Sequence, residues 1–230
     1  MRFQALATDY DGTIAFEGQV DAATVAALIR IRDRGVRLVM VTGRELTELF
    51  NTFTRVDLFD RIVAENGAIL YDPETKAIEC LSSPPPPALV ERLTREQVPM
   101  SVGHSVIATV EPHEHAVLAA IRDLGVEWHV IFNKGSVMAL PSNVTKLTGL
   151  GPALVSLGVS LEQTVGVGDA ENDQVFLGAC GLAVAVGNAL PAVKAMADIV
   201  MVQPRGAGVA ELIARWEAGD LDGIEARARS

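Results

Sequence analysis

Two aspartates separated by one residue, Asp9 and Asp11, follow an apolar run and precede Gly12 and Thr13. One carboxylate of such a pair can attack a phosphorus atom while the other gives and takes protons. Carboxylates this close repel one another unless a cation neutralises them, and oxygen ligands suit Mg²⁺. A plain β-turn at Asp11-Gly12 is the simpler alternative. The position of Asp9 directly after a predicted strand favours the chemical role.

Further polar groups follow the other predicted strands of the same type. They are Thr42-Gly43-Arg44, Glu65-Asn66-Gly67, Gly168-Asp169-Ala170-Glu171-Asn172-Asp173 and Gly187-Asn188. In an open parallel sheet the carboxyl ends of the strands form one edge, and ligands bind there. The sequence therefore predicts an active site at that edge, beside a cluster of carboxylates.

Three other motifs that bind metals or nucleotides do not match the sequence. A calcium loop starting at Asp9 needs glycine at its sixth position, where Ile14 stands. The run from Gly166 to Glu171 lacks the third glycine of a dinucleotide fingerprint, and no Walker-type loop occurs. Cys80 and Cys180 are too few for a disulfide framework or a thiolate metal site.

Short β-branched runs alternate with amphipathic helices at both ends of the chain, which predicts a doubly wound parallel α/β sheet. The expected strands are Phe3 to Thr8, Leu38 to Val41, Ile62 to Ala64, Thr164 to Val167, Leu182 to Val186 and Ile199 to Val202. One helix, from Thr145 to Leu157, fits poorly because Gly149, Gly151 and Pro152 should weaken or kink it.

The middle of the chain has a different pattern. Pro84 to Pro87 read as a stiff spacer. Beyond it, helix-strand-strand occurs twice, which predicts a small antiparallel α+β insert after the third core strand. We therefore expect a core domain of residues 1–83 and 142–230 and an inserted cap domain of residues 84–141.

The composition limits which partners and which cellular location we expect for the protein. Nineteen basic residues against 29 acidic ones give a formal net charge of −10, which disfavours nucleic acid and anionic membranes as partners. No apolar run approaches the ~20 residues of a membrane-spanning helix, and the start of the chain lacks a signal-peptide core. We expect a cytoplasmic protein, whose oligomeric state the sequence leaves open.

These motifs, in this order, resemble the haloacid dehalogenase-like hydrolases. The similar branch contains Cof-type sugar phosphatases, sucrose-phosphate phosphatases and archaeal phosphoglycolate phosphatases. The matching segments are Asp9-Tyr10-Asp11-Gly12-Thr13, Val41-Thr42-Gly43-Arg44, Lys146 and Gly168-Asp169-Ala170-Glu171-Asn172-Asp173. Similarity extends over essentially the whole chain, and it implies a Rossmann-like core with the smallest form of this branch's cap.

The resemblance also implies roles. Asp9 would be the nucleophile that forms an aspartyl-phosphate, and Asp11 the general acid and base. The implied substrate-binding residues are Thr42, Gly43, Arg44, Lys146, Asn172 and Asn188. The implied Mg²⁺ site is formed by Asp9, the Asp11 carbonyl and Asp169, supported by Asp173 and Asn172.

Most of these residues have a simpler alternative role. Lys146 could be an ordinary solvated lysine, and Asp173 could cap a helix. Thr42 and Asn188 could satisfy turn backbones, and Arg44 could pair with an acidic residue instead of substrate.

Two groups in the insert also invite hypotheses. The run His113-Glu114-His115 is more typical of a solvated helix turn than of a metal site, because no third ligand has a recognisable spacing. His104, Asn133 and Lys134 lie in predicted turns from which an inserted domain could reach the leaving group.

The expected activity is that of a Mg²⁺-dependent phosphatase acting on small phosphorylated metabolites, of the sugar phosphate or phosphoglycolate type. Two alternatives remain open at this point. A phosphomutase could use the same scaffold and also keeps Asp11, and a non-catalytic sensor could bind a phosphorylated ligand. Retention of both Asp9 and Asp11 argues against the sensor, because binding alone needs no nucleophile.

Overall fold

The computed structural model describes residues 2–133, 135–221 and 223–224. The strands are β1 Ala5–Thr8, β2 Arg37–Val41, β3 Arg61–Ala64, β4 Ile69–Tyr71, β5 Ile78–Cys80, β6 Ser101–Val102, β7 Ile107–Val110, β8 Trp128–Asn133, β9 Ser136–Pro141, β10 Thr164–Gly168, β11 Leu182–Ala185 and β12 Ile199–Val200. The helices are α1 Ala22–Asp33, α2 Leu46–Thr52, α3 Pro87–Arg95, α4 Glu114–Leu124, α5 Lys146–Ser156, α6 Gln174–Ala179, α7 Pro191–Met196 and α8 Arg205–Glu217. Within these ranges, no helix has the length and apolar character needed to cross a membrane.

The larger of two sheets has the strand order β12-β11-β10-β1-β2-β3-β4-β5. The strands from β12 to β3 are parallel, whereas β4 and β5 are antiparallel to their neighbours. In the centre, Leu6 of β1 lies between Val165 of β10 and Leu38 of β2. Every residue of β1 is buried, as in a strand covered on both faces. The predicted α/β fold with a doubly wound parallel sheet is confirmed.

The first helix shows how local sequence sets the ends of an element. The Asp21 carboxylate accepts a hydrogen bond from the backbone N–H of Thr24 at 2.8 Å and so caps the start of α1. After α1 the chain turns through Gly35, which has a φ of +86° that glycine adopts at little cost. The helix then packs against α8 beside the sheet.

The smaller sheet is antiparallel, with the order β6-β7-β9-β8. Helices α3 and α4 cover one face, and the apolar cluster between them and the sheet contains Leu89, Leu93, Ile107, Val117, Ala120, Ile121 and Ala139. On the other face Met138 and Leu140, together with Val106 just before β7, belong to the main core cluster. The small sheet therefore packs directly onto the larger part of the molecule.

Two strands that the sequence did not predict, β4 and β5, extend the large sheet between β3 and α3, so the insert follows the fifth strand of the chain and not the third. Sequence patterns missed them since each has only three residues, and those of β5 are all exposed. Pro87 is also the first residue of α3 and not part of a spacer. Proline is tolerated there because first-turn N–H groups have no partner within the helix. The division at residues 83/84 and 141/142 remains a prediction.

Helix α5 forms despite its glycines and proline. Thr145 starts it with a capping box, in which its side chain and that of Thr148 each bind the other's backbone N–H. Gly149 is required where α5 crosses the sheet, because a Cβ atom there would lie 2.4 Å from Val63 Cγ1 and 2.8 Å from Gly67 Cα. The weak local helix preference is therefore the consequence of a close approach between α5 and β3.

Candidate active site

The ends of three adjacent strands and the start of one helix bring the predicted site residues together. Asp9 follows β1, Thr42 to Arg44 follow β2, and Asp169 follows β10. Lys146 is the first residue of α5. Since β10, β1 and β2 are parallel neighbours, their carboxyl ends form one edge, as the sequence predicted.

Lys146 is the centre of this arrangement. Its ammonium Nζ donates to Asp9 Oδ1 and to Asp173 Oδ1, both at 2.6 Å, and the side chain is buried. Burial lowers the pKa of Lys146, but the carboxylates of Asp173 and Asp9 outweigh it and hold that pKa above its usual value. The lysine is therefore charged at neutral pH, and the alternative of a solvated lysine is wrong.

On balance, the surroundings of Asp9 disfavour its charged form. Burial and the nearby charge of Asp173 raise the pKa of Asp9 to about 7, although Lys146 acts in the opposite direction. A carboxylate must be ionised to act as a nucleophile or to bind a metal. A second cation beside Asp9 would favour that form.

The side chains fit such a cation. Carboxylate oxygens of Asp9, Asp169 and Asp173 lie within 4.8 Å of one another and are all buried. An all-oxygen set of carboxylates is the donor chemistry that Mg²⁺ prefers. The Asp11 carboxylate is not part of this cluster, and the predicted role of its main-chain carbonyl remains a prediction.

Asp173 holds the other groups in place. Its Oδ2 accepts the backbone N–H groups of Asp169 and Ala170 at 2.8 and 2.9 Å, while its Oδ1 accepts from Lys146. Both of its oxygens are thus engaged by the chain itself. Asp173 therefore fixes the turn after β10 and orients Lys146. Its side chain makes no capping hydrogen bond to α6, and its part in a metal site remains a prediction.

Two neutral side chains position Asp169. The Thr13 hydroxyl donates to Asp169 Oδ1 at 3.2 Å. The Asn188 amide donates to Asp169 Oδ2 at 3.3 Å and to the carbonyl of Gly12 at 2.9 Å, and its oxygen accepts from the backbone N–H of Arg205. Asn188 therefore ties three loops together, and its binding of substrate remains a prediction.

Arg44 pairs with acidic side chains, as its alternative role proposed. Its Nε and Nη2 donate to the two oxygens of Asp11 at 2.6 and 2.8 Å, and its Nη1 donates to Glu48 at 2.7 Å. The guanidinium lies 5.4 Å from the centre of the buried Tyr10 ring. The two-point contact with Asp11 fixes the orientation of that carboxylate.

Two predicted substrate-binding residues lie behind the site. The Thr42 hydroxyl is buried and accepts the backbone N–H of Arg44 at 3.1 Å, as in its turn-forming alternative. The Asn172 amide donates to Asn66 Oδ1 at 3.0 Å, and Asn66 in turn contacts the sulfur of Met138 at 3.3 Å. Their direct binding of substrate remains a prediction.

A cavity of about 260 Å³ opens beside these groups. Its lower wall contains five of the predicted residues, namely Asp9, Asp11, Gly43, Arg44 and Lys146. Its upper wall comes from the small sheet and the turn before β7, with Val106, Ala108, Ser136 and Met138. The small sheet thus covers the carboxyl edge of the large sheet at this cavity.

Sequence reasoning missed several residues at this site. Glu45 and Glu48 line the cavity, and Glu48 has a readable signal because it lies four residues after Arg44, a spacing that favours an ion pair on a helix. Thr13 and Asn66 are predicted only as members of strand-end segments, and no role is predicted for them. Of the hypothesised turn residues, the His104 ring lies 3.3 Å from Glu65; Lys134 and the side chain of Asn133 lie outside the described residues.

The fold and the site together are typical of an α/β enzyme, with carboxylates at the ends of its parallel strands and a buried lysine at the start of α5. The family model of the haloacid dehalogenase-like hydrolases matches residues 6–100 and 111–213. The chain belongs to this family, which confirms the resemblance found in the sequence.

Individual relatives agree with this assignment. The chain is 30% identical to the phosphoglycolate phosphatase of Methanothermobacter thermautotrophicus, over 93% of this chain and 98% of that one. A haloacid dehalogenase-like hydrolase from Bacteroides thetaiotaomicron has the same fold, with a TM-score of 0.79, 21% identity and coverage of 93% and 99% of the two chains. A sugar phosphatase of HAD subclass IIB gives a TM-score of 0.73 at 19% identity, with coverage of 93% and 99%.

Proposed function

We propose that the protein is a Mg²⁺-dependent phosphatase that hydrolyses small phosphorylated metabolites through an aspartyl-phosphate on Asp9. The observation that carries the proposal is the buried Lys146, which is 2.6 Å from both Asp9 and Asp173 beside a covered cavity. A lysine held this way can neutralise a phosphoryl group and keep Asp9 aligned with it. Positioning and charge neutralisation are what phosphoryl transfer chiefly requires.

Asp9 and Asp169 are the residues that would hold Mg²⁺, with Asp173 orienting the turn that carries Asp169. When bound, the metal would supply positive charge next to the phosphoryl oxygens. That charge would also favour the ionised form of Asp9, against the effect of its burial. Asp173 contributes mainly through Lys146 and the two backbone N–H groups.

The proposed reaction has two halves. First, a carboxylate oxygen of Asp9 attacks phosphorus, the bond from phosphorus to the ester oxygen breaks, and Asp11 gives its proton to that oxygen. Then Asp11 takes a proton from water, the water oxygen attacks phosphorus, and the bond between phosphorus and Asp9 breaks. Arg44 orients the Asp11 carboxylate through both of its oxygens, and one of these contacts must open before Asp11 can carry the proton that it gives.

The cavity and the relatives both support a small phosphorylated substrate. A space of about 260 Å³ suits a small ester. Phosphoglycolate is the substrate in the name of the relative from Methanothermobacter thermautotrophicus, and sugar phosphates are those of the subclass IIB enzyme. We infer that the substrate is a small phosphorylated acid or sugar.

The test is a panel of phosphate esters with purified protein and Mg²⁺. The expected result is release of inorganic phosphate that EDTA abolishes and that Asp9→Asn lacks, whereas Asp33→Asn on the exposed side of α1 keeps full activity. Phosphate release that survives Asp9→Asn would rule out the mechanism. Phosphorus NMR of a sugar phosphate separates the alternatives, since a mutase yields an isomeric ester and a sensor binds without turnover.

A further inference from the structure

A buried carboxylate that the proposed reaction does not use joins the small sheet to the core. Glu65 lies in the turn after β3, and its side chain is fully buried. Its Oε1 accepts the backbone N–H of His104 at 3.0 Å, and its Oε2 accepts that of Ser105 at 2.7 Å. A carboxylate is costly to bury without such partners. Here the turn between β6 and β7, residues 103–106, supplies them.

The β6–β7 turn fits closely around this carboxylate. A Cβ atom at Gly103 would lie 2.7 Å from Glu65 Oε1 and 2.9 Å from Oε2, which is closer than atoms can pack. Glycine at this position therefore lets the backbone of the turn reach both oxygens. Glu65 itself has a φ of +50°, an unusual conformation for a residue of this type. Both sides of the contact are thus shaped for it.

The same residue is connected to the active-site loop. The backbone N–H of Glu65 donates to the carbonyl of Arg44 at 3.0 Å, and that of Asn66 donates to the carbonyl of Thr42 at 3.0 Å. The Glu65 turn therefore holds the loop that lines the lower wall of the cavity. Its side chain at the same time holds the sheet that forms the upper wall.

Other polar contacts of this region are less protected. The Ser101 hydroxyl donates to Glu45 Oε1 at 2.5 Å, but Ser101 is exposed. The Ser105 hydroxyl donates to the carbonyl of Ser82 at 3.2 Å. Among the acceptors Glu45, Ser82 and Glu65, the Glu65 side chain is fully buried and accepts hydrogen bonds from two main-chain N–H groups.

We propose that Glu65 is a positioning residue that holds the small sheet over the cavity by binding the main-chain amides of the β6–β7 turn. Ala108 and Met138 of this sheet line the cavity, so the seating of the turn sets the distance between the upper wall and the reacting groups. The kinetic consequence rests on the proposed phosphatase function. The contact itself does not.

Two variants weaken this contact from opposite sides. Glu65→Gln keeps the shape but replaces one oxygen with an NH₂ group that faces a backbone N–H. Gly103→Ala places a methyl group against the Glu65 carboxylate, so the turn or the Glu65 side chain must shift. Glu79→Gln, on exposed β5, is the matched control. Hydrogen exchange of residues 101–107 reports the contact directly.

We expect amide exchange in residues 101–107 to be at least about ten-fold faster in both variants, with β1 unaffected and the control like wild type. If amide exchange in residues 101–107 is the same in Gly103→Ala as in the wild type, the proposal is overturned. If Glu65→Gln does not fold, Gly103→Ala alone provides the test.

For the ester that turns over best, we expect KM to rise by about ten-fold while kcat changes less than about three-fold, because the lost contact supports binding. Faster exchange with an unchanged KM would reduce Glu65 to a structural role. If no ester is hydrolysed, the phosphatase proposal fails, while the exchange result still decides the contact.

Discussion

Replacing Asp9 with asparagine should stabilise the metal-free protein at neutral and alkaline pH, although it removes the proposed nucleophile. Burial and the charge of Asp173 raise the pKa of Asp9 from 3.8 to about 7. The folded protein therefore binds this proton more tightly than the unfolded chain does. Stability is lost as the pH rises between these two values, and the penalty is complete above the higher one. Asparagine has nearly the same shape and carries no charge.

The size of the effect follows from the pKa shift. About three units correspond to ~4 kcal/mol at about 1.4 kcal/mol per unit. Loss of the attraction between Asp9 and Lys146 and relaxation of the site reduce this figure. We expect Asp9→Asn to gain ~2 kcal/mol above the higher pKa, which raises Tm by roughly 4–8 °C in a chain of this length. At a pH near the ordinary aspartate pKa of 3.8, the gain in the free energy of unfolding should fall below about 1 kcal/mol.

Thermal unfolding in EDTA, followed by circular dichroism at alkaline and acidic pH, measures this difference. Asp33→Asn is the control, because Asp33 lies exposed on α1. Mg²⁺ should reduce the difference in Tm between Asp9→Asn and the wild type, because it stabilises the wild type, which retains the full carboxylate cluster. A wild-type protein as stable as Asp9→Asn in EDTA at alkaline pH would refute the reasoning.

Four further substitutions test individual contacts. Lys146→Met should lower kcat by ~10²–10³ in steady-state assays, because it removes the cation beside the phosphoryl group. Arg44→Lys loses the two-point contact with Asp11 and should lower kcat by about ten-fold, with Glu48→Gln milder. Gly149→Ala should lower the free energy of unfolding in urea by ~1–3 kcal/mol, because its methyl group collides with β3.

Three of these substitutions have a defined contradicting outcome, and two have a matched control. Lys76→Met, at an exposed lysine, should leave kcat unchanged; an equal loss there would show that the effect of Lys146→Met is not local. An active Arg44→Lys enzyme with wild-type kcat would remove Arg44 from the positioning of Asp11. Gly151→Ala lies in the same helix with open space around it, so a matching destabilisation there would contradict the close approach at Gly149.

Much of the fold was predictable because buried parallel strands leave a strong local pattern. Runs such as Leu38 to Val41 are apolar throughout, and the polar residues after them must meet at one edge of the sheet. The three-residue strands β4 and β5 were missed because their pattern is too short and β5 is exposed. The glycines of α5 looked like helix breakers, since their reason is a contact with β3 that is distant in sequence.

The candidate site was predictable to the level of residues but not of partners. Asp9, Asp169 and Lys146 could be expected to lie together because motif order and strand ends restrict them, while their catalytic roles remain predictions. Whether Arg44 faces substrate or Asp11 depends on side-chain geometry that no spacing encodes. Glu65 was visible as a polar residue after β3, yet its partners are main-chain amides of a distant turn, for which the sequence has no signal.

Trapping the phosphorylated enzyme tests the central claim most directly. An aryl phosphate ester labelled with ³²P, whose leaving group departs without a proton donor, is mixed with Asp11→Asn protein, which should form the intermediate but hydrolyse it slowly. After acid quench and proteolysis, we predict the label on the peptide that contains Asp9, and none in Asp9→Asn. Phosphate release without a labelled enzyme, or a label on a different peptide, would contradict an aspartyl-phosphate on Asp9.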